Sequence, residues 1–198
     1  TGAVVPLGPG GAQPPDPAIS PDGRRMWGTI NGVAAVQERS VATGRLLAVR
    51  RVGGAPHDVG FAPGGREAWL SNWGSGALTV AGARSGRRIA AVTAGGEPHH
   101  FAFGRGTVWV SDNRGGTLVR LGRASRRVLS RTPVGAAPHH VATWGRRALV
   151  AVNGAGRLAV ISGRGALEAS LRVGRGPHGI AVVEAAAAGP APAARCGD

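Results

Sequence analysis

Pro56-His57-Asp58-Val59 decides the fold, because it returns along the chain at an even beat. It recurs as Pro98-His99-His100-Phe101, Pro138-His139-His140-Val141 and Pro177-His178-Gly179-Ile180, with prolines 42, 40 and 39 residues apart. A degraded copy, Pro14-Pro15-Asp16-Pro17, begins 42 residues upstream of the first. Asn31, Asn72, Asn113 and Asn153 form a second column in phase with it. Self-similarity at a period of roughly 20 to 50 residues marks stacked supersecondary units, each too small to bury its own apolar face.

Each repeat reads as four strands. In the second, Val59-Gly60-Phe61-Ala62 precedes a turn at Pro63-Gly64-Gly65, and Glu67-Ala68-Trp69-Leu70-Ser71 precedes a turn at Asn72 to Gly76. Ala77 to Ala81 and Arg88 to Val92 follow, separated by Ser85-Gly86. Short β-rich runs between Gly, Asn and Ser clusters describe an antiparallel meander, with no helical period. A lone meander leaves two faces unburied, and stacking its neighbours against them gives the blades of a propeller. The predicted fold class is therefore all-β: a partial β-propeller of about four four-stranded antiparallel blades plus orphan terminal strands.

Ile19-Ser20-Pro21-Asp22-Gly23-Arg24-Arg25-Met26-Trp27, Ser71-Asn72-Trp73-Gly74-Ser75-Gly76 and Ser111-Asp112-Asn113-Arg114-Gly115-Gly116 carry a resemblance. The chain resembles the YVTN β-propeller repeat family (YncE-like proteins) from Thr1 to about Val183. The resemblance implies a propeller and, in most relatives, about seven blades. It also implies an exported protein, placed in the secreted, periplasmic or cell-surface compartment. It says little about activity, because propellers host many unrelated functions.

The repeats divide residues 1–184 into the outer strand of a split blade (1–13), blades at 14–55, 56–97, 98–137 and 138–176, and the inner strand of a further blade at 177–184. A flexible Ala/Pro-rich tail is expected over 185–198. Thr1-Gly2-Ala3 shows neither an initiator Met nor a signal pattern, so a removed leader or a start inside a longer chain is expected. Four blades plus two orphan strands suggest a piece of a larger propeller. A five-bladed ring with one incomplete blade and an arc completed by a second chain are the alternatives. The single cysteine, Cys196, excludes an internal disulfide. No stretch has the apolar length of a membrane-spanning helix.

Net charge is +14, and all 24 basic residues are Arg. Such an excess points to polyanions or membrane surfaces, although Ala- and Gly-rich composition without Lys also fits a GC-rich coding bias. In an up-and-down blade, the turn between first and second strands shares a rim with the turn between third and fourth. That rim collects Arg24, Arg25, Arg66, Arg87, Arg88, Arg126, Arg127, Arg146 and Arg147 as candidate polyanion contacts. Tyr is absent and Phe scarce, so any nucleic acid would be held by phosphates rather than stacked bases.

His57, His99, His139 and His178 share one repeat position just before the innermost strand, and His100 and His140 add a second, incomplete ring. These six are the candidates for a ligand site at the channel mouth. Converging imidazoles suit a transition metal or an anion. The competing reading is structural, with each His bonding a neighbouring loop and fixing blade stacking. A wide ring would hold successive His too far apart to share one ion at the bond lengths Zn requires, and no carboxylate cluster is evident beside them, so no metal is expected. The Asn column is expected to supply left-handed turn residues. Trp27, Trp69 and Trp109 are expected to pack between blades, and Trp73 to be a partly exposed loop residue.

No nucleophile elbow, phosphate loop, zinc motif or catalytic carboxylate pair is present. The function expected is a non-enzymatic binding or interaction scaffold, without a cofactor. Its partner would be a protein or small ligand on a propeller face, with self-association through open blade edges as a further option. One alternative is binding of a polyanion or single-stranded nucleic acid along the Arg-rich rim. Another is a propeller lyase or lactonase whose catalytic residues lie in missing blades; Gly106-Thr107-Val108-Trp109-Val110-Ser111 resembles the lyase branch in its generic blade pattern only.

Overall fold

A computed structural model describes residues 16–30 and 33–183. The expectations for 1–13, Asn31, the 185–198 tail and Cys196 fall outside the described residues. Sixteen strands form four separate four-stranded antiparallel sheets, each a simple meander. The first holds β1 (Pro17–Ile19), β2 (Arg25–Thr29), β3 (Ala35–Ser40) and β4 (Leu46–Arg51). The second holds β5 (Pro56–Phe61), β6 (Glu67–Asn72), β7 (Ala77–Gly82) and β8 (Arg88–Thr93). The third holds β9 (Pro98–Phe103), β10 (Thr107–Asp112), β11 (Thr117–Gly122) and β12 (Val128–Pro133). The fourth holds β13 (Pro138–Trp144), β14 (Arg147–Val152), β15 (Arg157–Ile161) and β16 (Leu167–Arg172), with a 3-10 turn at Asn153–Ala155.

The core lies between sheets. Three apolar clusters fill the three seams, and each is centred on one buried Trp of the second strand. Trp27 meets Phe61 of the next sheet edge-on at 5.3 Å, and Trp69 meets Phe103 of the next at 6.3 Å. Trp109 joins Val141, Val150 and Ile161 of the fourth sheet. The second strands β6 and β10 are buried on both faces, whereas β8 and β12 are mostly exposed. That gradient follows from each sheet being sandwiched at its inner strands and bare at its outermost one. In the fourth sheet, Leu149 takes the place of the Trp and is only half-buried. No helix among the described residues is long and apolar enough to cross a membrane.

One glycine column is required by close approach. Gly76, Gly116 and Gly156 sit at φ of +67°, +62° and +64° in the turn after the second strand. A Cβ there would fall 2.5, 3.0 and 2.6 Å from the carbonyl oxygens of Gly95, Gly135 and Gly174, which lead to the next repeat. The linker therefore rests directly on the turn.

Residues 177–183 form no strand, in contrast to the expected inner strand at 177–184. A strand needs a ladder partner, and none is present for this segment among the described residues. The segment still docks beside β13, through Asn153 Nδ2 donating to the Pro177 carbonyl at 3.2 Å and the Ile180 N–H donating to His140 Nδ1 at 3.3 Å.

Candidate functional site

His57, His99, His100, His139 and His140 lie inside the innermost strands rather than before them, and His178 lies in the strandless segment that docks beside β13. Pro opens each strand, where its missing N–H costs nothing. In β5, Pro56 pairs with Asn72 and Asp58 with Ser71, leaving His57 as an extra residue. The same shift separates Pro98–Asp112 from Phe101–Val110 and Pro138–Val152 from Val141–Val150. Each is a β-bulge. On a regular strand, consecutive side chains face opposite sides. A bulge re-aims one of them, so His99 and His100 lie on the same side with ring centroids 4.6 Å apart.

All six histidines of the chain gather in one stack. His57 to His99 is 4.1 Å between centroids, His99 to His139 is 4.2 Å and His139 to His178 is 3.9 Å. His100 lies 4.7 Å from His139, 5.1 Å from His140 and 5.2 Å from His57. This corrects the expected spacing. The wide-ring picture assumed imidazoles radiating around an open channel; converging inner strands and their bulges instead tilt the rings against one another.

Two carboxylates join the stack, correcting the expectation of none. Asp58 Oδ2 is 3.4 Å from His100 Nδ1 and accepts the Phe101 N–H at 3.3 Å. Asp16 Oδ2 is 3.7 Å from His57 Nδ1 and 3.9 Å from His100 Nδ1. The sequence carried a signal for them. Asp16, Asp58, His100 and His140 occupy one column, spaced by 42, 42 and 40 residues. Trp73, 44% exposed, closes the outer side, its ring edge-on to His57 at 5.0 Å and His99 at 5.1 Å. Its indole N–H donates to Glu97.

A second column, which the repeat comparison missed, fixes the His backbone. Thr29 Oγ1 donates to the His57 carbonyl at 2.9 Å, Ser71 Oγ to His99 at 2.5 Å and Ser111 Oγ to His139 at 2.6 Å. Each hydroxyl reaches 28 residues ahead, into the next sheet. Their even spacing of 42 and 40 residues was the available clue.

The Asn column also changes meaning. None of Asn72, Asn113 and Asn153 has a positive φ; among the described non-glycine residues only Arg126 and Ala137 do. Asn113 and Asn153 donate across seams to the Pro138 and Pro177 carbonyls at 3.3 and 3.2 Å. Asn72 is out of frame. It faces Pro56 as Asp112 faces Pro98, and its amide donates within its own sheet to Thr79 Oγ1 and the Ala77 carbonyl.

Burial sets the charge state of the stack. His99 is lowered to about 2, first by desolvation and then by the neighbouring imidazoles of His57 and His100. His139 is lowered to about 4 for the same reasons, with His100 and His178 as the neighbours. His57 and His140 are also lowered by burial, opposed by the charges of Asp16 and Asp58. The Nδ1 atoms of His57, His99 and His139 are buried without a hydrogen-bond partner among the described residues. These rings are neutral at pH 7 and hold lone pairs or N–H groups that nothing satisfies.

The Arg residues lie at the other end of the sheets. In β5 the histidine lies at the end where Pro56 pairs with Asn72, while Phe61 pairs with Ala68 beside the Arg66 turn. Within each of the first three blades the two turns are joined there, by Val41 N–H to Arg24 O, Ala83 N–H to Arg66 O and Arg123 N–H to Gly106 O. Arg25 pairs with Glu38 at 3.2 Å, Arg126 with Glu67 at 2.7 Å and Arg147 with Glu168 at 2.5 Å. Arg24, Arg66, Arg87, Arg88, Arg127 and Arg146 are exposed and have no ion pair among the described residues. A groove of about 540 Å³ between the first two sheets is lined by Arg24, Arg25 and Arg84, with Asp22 on the same turn as the first two. A smaller cleft of about 80 Å³ between the last two is lined by Arg105, Arg120, Arg146 and Arg147 around Trp109.

No family model and no curated protein matches the chain. Solved structures do. The chain is similar to Kuenenia stuttgartiensis hydrazine synthase, with a TM-score of 0.73 at 16% identity, over 81% of this chain and 49% of that one. It is similar to the WD40 repeats of RRP9, with a TM-score of 0.65 at 15% identity, over 78% of this chain and 49% of that one. The fold is a β-propeller. Dihydro-heme d1 dehydrogenase NirN is another likeness, with a TM-score of 0.67 at 18% identity, over 84% of this chain and 39% of that one. The chain thus spans half or less of the length of these propellers, and at such identities the likeness shows the fold alone.

Proposed function

We propose that this propeller is a non-enzymatic binding scaffold of the YVTN type that holds a polyanion, such as single-stranded nucleic acid, along its Arg-rich rim. The observation that carries the reading is the set of six exposed arginines with no carboxylate partner among the described residues, found in all four blades. A regular row of guanidinium groups matches a polymer with regularly spaced phosphates or sulfates. The grooves between blades leave room for a backbone to cross the seams. The YVTN assignment is supported by the Ser-Pro-Asp-Gly-Arg-Arg hairpin at 20–25 and the Asn-Trp-Gly-Ser-Gly turn at 72–76.

Titration with fluorescent single-stranded DNA and with heparin, at low and at near-physiological salt, tests this. With six phosphates neutralised on a single strand, log K should fall against log salt with a slope of about −4. Replacing Arg24, Arg66, Arg127 and Arg146 by Gln should flatten that slope to about −1 to −2. Absence of binding at low salt refutes the polyanion reading and leaves a protein-interaction scaffold.

A further inference from the structure

We propose that His57, His99 and His100, with Asp16 as the oxygen donor, form a binding site for one divalent transition-metal ion, Zn2+ or Cu2+, at the channel mouth opposite the Arg rim. Each of the three histidines offers a ring nitrogen, and the three nitrogens lie within 4.8 Å of one another. Donors around a tetrahedral Zn2+ stand roughly 3.4 Å apart, given bonds of about 2.0 to 2.1 Å, so small side-chain movements close the set. Asp16 Oδ2 already lies between His57 and His100, at 3.7 and 3.9 Å from their Nδ1 atoms.

The donor set selects the ion. Three imidazoles and one carboxylate suit Zn2+ and Cu2+ and disfavour Ca2+ and Mg2+, which take oxygen shells. Asp58 acts as the orienting residue. Its Oδ2 sits 3.4 Å from His100 Nδ1 and is itself fixed by the Phe101 N–H. With Nδ1 engaged by Asp58, His100 offers the ion its Nε2, and a carboxylate on the other nitrogen of a ligating imidazole sets ring orientation and raises basicity. Further rigidity comes from the Thr29 and Ser71 hydroxyls, which lock the His57 and His99 backbone across two seams. His57 and His99 each bury an Nδ1 with no hydrogen-bond partner among the described residues, and an ion bound through those atoms would satisfy both.

The test uses the whole chain without a polyhistidine tag, stripped with chelator and titrated with ZnSO4 or CuSO4 at pH 7.5 by calorimetry. One equivalent should bind with Kd at or below about 1 µM. His99→Gln should weaken binding at least ~100-fold and Asp58→Asn ~10-fold. His178→Gln, stacked on His139 away from the triad, should leave Kd unchanged. Wild-type protein with one equivalent of Cu2+ should show imidazole nitrogen superhyperfine splitting in its EPR spectrum, which no His outside the stack can supply. It should also quench a fluorescence component that Trp73→Phe removes, since Trp73 touches the rings of His57 and His99. No uptake, or uptake indifferent to His99→Gln, overturns the proposal. If His99→Gln does not fold, the wild-type EPR spectrum decides, and a spectrum without imidazole nitrogen overturns it equally.

Discussion

Acidification from pH 7 to pH 5 should destabilise the metal-free protein by about 3 kcal/mol, and the His stack is the source. An imidazole in the unfolded chain titrates near 6.5, whereas buried His99 titrates near 2. Below pH 6.5 the unfolded chain therefore binds more protons than the folded one, and stability falls as pH falls. The loss begins near pH 6.5 and continues down to the folded value, about 2 for His99 and about 4 for His139. A His that stays neutral in the fold at pH 5 costs about 2 kcal/mol relative to pH 7. His139 is partly exposed, so solvent screening reduces its share to about 1 kcal/mol. His57 and His140 shift in the same direction, while Asp16 and Asp58 beside them oppose it. Asp22, held low chiefly by its hydrogen bond from Ser20, titrates below this window and does not contribute. Urea unfolding followed by Trp fluorescence at pH 7 and pH 5, in chelator, reads the difference directly. His99→Gln should remove about 2 kcal/mol of it. Equal stability at the two pH values, or greater stability at pH 5, would refute the assignment of neutral buried imidazoles.

Trp69→Ala should cost about 3 to 5 kcal/mol in urea unfolding, because it empties the centre of the second seam. Leu149→Ala, at the same repeat position on a half-buried face, should cost less than about 2 kcal/mol. Equal losses would mean that the seams are not the core. Ser111→Ala should cost about 1 to 3 kcal/mol, since it strips the His139 carbonyl and the His100 backbone of a shared hydroxyl. An unchanged urea midpoint for that variant would remove the hydroxyl column from the account of how the seams are locked.

The repeat, the four-stranded meander and the Trp column were legible because they depend on period and apolar patterning, which are local and recur along the chain, the meander four times and the Trp three. The stacked site was only half legible. His57, His99 and their equivalents stood out, but whether neighbouring residues face together or apart depends on a bulge, and a bulge shows in pairing register rather than in composition. Asp16 and Asp58 escaped notice because they hold the column that His100 and His140 occupy later, so identity matching hid them. Asn72 misled for the opposite reason: an identical residue one place out of frame passed for a repeat equivalent. Blade topology alone puts nine arginines on one rim, yet three of them, Arg25, Arg126 and Arg147, are tied to Glu38, Glu67 and Glu168, contacts that no linear spacing reveals.

The hydroxyl column has an evolutionary consequence. Because every hydroxyl clasps a carbonyl one repeat ahead, no single repeat contains a complete copy of the His environment, which exists only where two copies abut. Duplication of a forty-residue unit creates such a junction each time, and loss of one unit erases a junction while leaving every surviving sheet intact. Copy number therefore sets how many such junctions the mouth has, while the Asp, Asp, His, His order along its column sets what each copy contributes to them.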